Sequence, residues 1–183
     1  DKNISLLEEM SFDEKVVAIG EIGLDYYYDE PDREIQKKCF RAQLDLAKRC
    51  DLPVVIHSRD AAKDTFDILS EYKGVKGVIH CYSYSKEMAR EFIKLGYVLG
   101  IGGVITFKNA KKLEETAEAI SFDDFVLETD CPYLSPVPNR GKRNSSLNLT
   151  YIIDKLSEIK GVSKDFIIEK SFENAKKLYP KMK

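Results

Sequence analysis

The sequence predicts an α/β fold built on a parallel sheet, and three observations predict it. Short apolar runs alternate with longer amphipathic stretches along the chain. The apolar runs are hydrophobic on both faces, as strands are when helices cover them. Four of them carry a metal-capable residue at or near the carboxyl end: Glu21, His57, His80 and Asp130. The carboxyl ends of strands are where parallel α/β folds gather their ligand sites.

The strands are read at 16–24 (VVAIGEIGL), 53–58 (PVVIHS), 76–82 (KGVIHCY), 97–103 (YVLGIGG) and 125–130 (FVLETD). Between the first two lies a helix over 32–50, with Ile35, Cys39, Leu46 and Cys50 near one stripe and Pro31 suited to its first turn. A helix over 85–96 starts at Ser85 as N-cap and stops at Gly96. Further helices are expected over 109–120, 147–161 and 163–179. The one long irregular stretch is 131–146 (CPYLSPVPNRGKRNSS), and loops of that length in compact domains usually carry function. The GIGG run at 100–103 lacks the spacing of a phosphate-binding fingerprint and is read as close packing.

The chain has 183 residues, enough for one domain over 1–183 with one good-sized core. A net charge of -2 removes the basic field of a high-affinity nucleic-acid reader, but leaves room for an enzyme that meets phosphates with metal ions. Cys39, Cys50, Cys81 and Cys131 form no CxxC pair, which fits a reducing, cytoplasmic setting. No run is long and apolar enough to span a bilayer, so no membrane partner is expected.

Glu21 interrupts an apolar run, and a buried carboxylate is costly unless a cation meets it. His57 and His80 are the only two histidines, and they occupy equivalent strand ends. Strand alternation puts His57 on the face of Val55, and His80 on the face of Val78. Two imidazoles at one mouth, with carboxylates from two more strands, point to a divalent metal site.

The segments AIGEIGLDYY, PVVIHSRDA, VIHCYS and LETDCPYL, in this order and followed by NRGKRN, closely resemble the TatD family of metal-dependent deoxyribonucleases. The resemblance implies a TIM-barrel (β/α)8 fold of the amidohydrolase-like type. It implies that Glu21 bridges two divalent ions, that His57 and His80 complete one site, and that Asp130 serves the other and helps orient or deprotonate the attacking water. Catalytic roles then fall to Asp130 and Glu21. The residue set accepts Mg, Mn, Zn, Co or Ni alike. The implied substrate is DNA, cleaved at phosphodiester bonds, plausibly from 3′ ends. The family's first strand carries a His-x-His pair, which this sequence lacks. Five strands were found where a barrel has eight, so the chain is read as the last five β/α units, with roughly 70 residues expected upstream. On that reading it has little nuclease activity of its own, and its open sheet edges invite association. Two other readings stay open: a metal-dependent amidohydrolase or lactonase, and a non-catalytic fragment.

Outside the metal set, Asp25 lies four residues after Glu21, either on the same strand face or as a turn residue. Tyr26, Tyr27 and Tyr28 follow the strand, where they either stack nucleobases or pack over the mouth. Arg59 is expected to pair with Glu128, with a phosphate as the alternative partner. Arg140, Lys142 and Arg143 suit a phosphodiester or are simply solvated. Cys81 and Cys131 are read as small packing residues turned away from the ligands.

Overall fold

A computed structural model describes residues 2–182. Five parallel strands form one sheet in the order β1-β2-β3-β4-β5: Ile19–Asp25, Val54–Arg59, Gly77–Ile79, Tyr97–Ile101 and Phe125–Leu127. Each strand therefore pairs with its successor in sequence, as barrel-type βα units do. Helices α2 (Arg33–Cys50), α3 (Ala62–Glu71), α4 (Lys86–Lys94) and α5 (Lys111–Ala119) connect them, α1 (Lys2–Met10) precedes them, and α6 (Leu149–Lys160) and α7 (Lys164–Leu178) follow.

The five expected strands are all present. Helix starts were predicted best where a side chain caps them. Ser85 accepts the Met88 N–H and Ser163 that of Phe166, while Asp32 accepts that of Glu34. Asp32 rather than Pro31 thus opens α2. Two helices went unread. The α3 helix begins without a side-chain cap, and α1 buries none of its residues, so neither carries the usual sequence marks. The expected stripe on α2 also shifts. Gln36, Phe40, Leu44 and Ala47 are buried, whereas Ile35 and Cys39 are exposed. That i, i+4 row includes a buried glutamine, which a count of apolar residues passes over.

The two faces of the sheet do different work. Ile22, Leu24, Ile56, Ile79, Leu99 and Phe125 belong to the main core, packed with Phe40, Leu44, Ile68, Phe92, Ile152 and Ile167 of the surrounding helices. Val78 and Val126 belong to a smaller cluster on the other face, with Val55, Val98, Leu178 and Tyr179. Alternation along β2, β3 and β5 puts His57, His80 and Glu128 on this second face, beyond the valines. Gly23 secures the first pairing. It has φ +147°, and a Cβ there would lie 1.9 Å from the His57 carbonyl oxygen, so only glycine lets β1 approach β2 at that level. Among the described residues, no helix is long and apolar enough to cross a membrane.

Candidate metal centre

The strand ends place each imidazole between carboxylates. On the β1–β2 side, His57 Nδ1 lies 2.8 Å from Glu21 Oε1 and Nε2 lies 3.1 Å from Asp25 Oδ2. On the β3–β5 side, His80 Nδ1 lies 2.8 Å from Glu128 Oε2 and Nε2 lies 3.3 Å from Asp130 Oδ1. The halves meet at Glu21, whose Oε1 is also 3.9 Å from His80 Nε2. Thus Glu21, His57, His80 and Asp130 come together as a chain of contacts rather than one tight cluster.

Glu21 is not enclosed. Its side chain is 43% exposed, so the cost that called for a cation is smaller than its apolar neighbours imply. Its hydrogen bond with His57 still holds the carboxyl below its ordinary range, against partial burial. The same bond raises the His57 imidazole, against burial and with help from Asp25. Burial works to lower His80, yet the hydrogen bond and charge of Glu128, with Glu21 and Asp130, carry it up to about 9. Both rings stand in fields that favour positive charge, which a bound cation would supply in place of protons.

Glu128 is the residue the sequence reading misplaced. It does not pair with Arg59. Its Oε1 accepts the Cys81 backbone N–H at 2.8 Å while Oε2 faces His80. A donor N–H on His80 Nδ1 leaves Nε2 aimed at Glu21 and Asp130, the arrangement that orients metal-binding histidines. Gly100 makes room for it, because a Cβ there would sit 2.3 Å from Glu128 Oε2. The signal was in LETD, where Glu128 stands two residues before Asp130, and in the glycine of the neighbouring strand.

Cys81 also departs from expectation. The β3 strand ends at Ile79, and Cys81 has φ +45°, so alternation no longer turns it away. Ligand-capable atoms of His80, Cys81 and Glu128 lie within 4.8 Å of one another. Burial, reinforced by Glu128, pushes the thiol well above its ordinary range, as suits a protonated packing residue. Cys131 is exposed rather than packed.

Asp25 combines both roles foreseen for it. Its Oδ1 accepts the backbone N–H groups of Tyr27 and Tyr28, while Oδ2 faces His57. Arg59 lies over the Tyr27 ring instead of reaching Glu128. Arg140 rests 4.1 Å over the Phe107 ring, and both it and Arg143 are exposed. Their loop is braced by buried Asn144, whose Nδ2 donates to the carbonyls of Thr129 and Tyr133.

Nitrogen and carboxylate oxygen donors converging from four strands fit a borderline or hard divalent cation. Glu21, His57, His80 and Asp130 would hold it, with Glu128 and Asp25 fixing the rings. Known proteins similar to this chain are named as metal-dependent hydrolases. Residues 1–180 match the family described as TatD related DNase. The chain belongs to that family. It is 44% identical over 181 residues to the uncharacterized metal-dependent hydrolase YabD of Bacillus subtilis, covering 98% of this chain and 71% of YabD. It is 35% identical to the uncharacterized metal-dependent hydrolase YcfH of Escherichia coli, covering 94% of this chain and 66% of YcfH. The crystal structure of the TatD homolog YjjV of Escherichia coli superposes with a TM-score of 0.93 at 32% identity, covering 98% of this chain and 71% of YjjV. The chain thus spans about two thirds of the length of these relatives. Its five-stranded parallel sheet is a TIM-barrel-type fold matching that of YjjV.

Proposed function

We propose that this protein is a metal-dependent hydrolase that cleaves DNA phosphodiester bonds with a metal-activated water. The observation that carries the reading is Glu21 Oε1, 2.8 Å from one imidazole and 3.9 Å from the other. A carboxylate so placed is positioned to share a cation with both histidines. A bound divalent ion, or a pair of them, would supply Lewis acidity and a water acidic enough to attack at neutral pH. Asp130 stands at the mouth, 30% exposed, where it can accept the proton of that water. Asp25 and Glu128 keep the imidazoles in register. Arg140 and Arg143 offer positive charge on the loop after β5, where a phosphate backbone would pass. Family membership supports DNA as substrate, and four free cysteines support a reducing, cytoplasmic setting.

The test is cleavage of a labelled DNA oligonucleotide by metal-stripped and re-metallated protein, beside a panel of amides and lactones. Metal-restored, chelator-sensitive DNA cleavage is expected of a full-length protein that carries the His-x-His strand, and little or none of residues 1–183 alone. Amide or lactone hydrolysis with DNA left intact at high enzyme concentration would overturn the DNA reading and leave the metal site standing.

A further inference from the structure

Tyr27 and Tyr28 are 59% and 68% exposed, an unusual place for two adjacent aromatic rings beside a cluster of carboxylates. Packing does not account for them. Their neighbour Tyr26 is the one that anchors the segment, donating its hydroxyl to Asp64 Oδ2 at 2.6 Å beneath the Arg33 guanidinium. Tyr27 and Tyr28 instead meet edge to face, with centroids 5.0 Å apart. The Arg59 guanidinium lies 3.8 Å from the Tyr27 centroid and 5.4 Å from that of Tyr28. Among the described residues Arg59 makes no ion pair, although Asp25 is its register partner across the β1–β2 ladder. The same group is tied to the candidate centre. Asp25 takes the Tyr27 and Tyr28 N–H groups on one oxygen and faces His57 with the other.

We infer that Tyr28, Tyr27 and Arg59 form a nucleotide-holding subsite at the β1–β2 edge of the mouth, with Tyr28 stacking a base of single-stranded DNA and Arg59 pairing with the adjoining phosphate. The inference rests on the proposed phosphodiesterase reading and deepens it. The chemistry follows from the geometry. Tyr27 holds the guanidinium by cation–π contact and keeps it free of carboxylates, so its donors remain available to a phosphate. The exposed ring of Tyr28 offers a face to any base, which gives holding power without sequence preference. Because Asp25 fixes both backbone N–H groups, a stacked base would be positioned relative to His57 rather than merely retained.

The experiment is equilibrium binding of a phosphorothioate-protected single-stranded oligonucleotide carrying 2-aminopurine at its 3′ end, with a divalent ion present, read as fluorescence quenching and anisotropy. Tyr28→Ala should lose the quenching and lower affinity by about 10-fold, while Tyr28→Phe keeps both. Arg59→Gln should reduce the salt slope of binding by about 1, and Arg59→Lys should restore most of that slope but not the affinity. An oligonucleotide abasic at that 3′ end, added as an unlabelled competitor, should bind wild type and Tyr28→Ala alike. Quenching and affinity unchanged in Tyr28→Ala, with DNA still bound, would overturn the subsite and spare the phosphodiesterase reading. DNA not bound by wild type would overturn both.

Discussion

The two halves of the candidate centre repeat one design in different surroundings. Each sets an imidazole between two carboxylates: His57 between Glu21 and Asp25, His80 between Glu128 and Asp130. The His57 side chain is 35% exposed and that of His80 only 16%. The difference comes from position in the sheet. His80 lies between β2 and β4, and Gly100 lets Glu128 fold against β4 to reach it. His57 lies beside β1, an outer strand of the described sheet. Enclosure strengthens every charge interaction, which is why the carboxylates around His80 outweigh its burial. The inner half is therefore read as the firm anchor for a cation, and the outer half as the adjustable side that faces substrate.

Five substitutions would break or sharpen that contrast. The largest effect is expected from Gly23→Ala, since the new methyl meets the His57 carbonyl and must push β1 from β2. A loss of roughly 3 kcal/mol in urea unfolding is expected, and an unchanged midpoint would refute the close approach. Glu128→Gln keeps a hydrogen-bond acceptor for His80 but removes the charge. Metal affinity in a titration should fall about 10-fold with the unfolding midpoint little changed. Gly100→Ala should act through the same carboxylate, more weakly, because Glu128 can swing aside. If it lowers stability but not metal affinity, Glu128 serves packing instead. The smallest effect belongs to Arg140→Ala and Arg143→Ala, each expected to reduce the salt slope of DNA binding by about 1. An unaltered slope would return both arginines to solvated charge.

Much of this centre could be read from the chain because strand ends write it in short words. The apolar runs located all five strands, and His57 and His80 stood out as the only histidines, each closing a run. Asp25 was read as either strand or turn, and it ends β1 while its carboxylate accepts two turn N–H groups. What escaped depended on neighbours distant in sequence. Glu128 was seen but given to Arg59, because nothing local reveals that Gly100 opens the way to His80. Cys81 was judged by strand alternation, which its left-handed backbone suspends. Gln36 was passed over on α2, although its side chain bonds the Asp25 backbone in both directions and fixes the start of the tyrosine segment. The Glu128 and Gln36 misses are tertiary contacts overriding a local pattern, and the Cys81 miss is a local backbone reversal.

The most direct test of ion binding is a titration of metal-stripped protein with Mn2+ or Zn2+, comparing wild type with His57→Ala and His80→Ala. Both variants should bind more weakly by about 10-fold or more, with the greater loss in His80→Ala, the enclosed half. Equal affinity in wild type and both variants would contradict the claim that these imidazoles hold the ion.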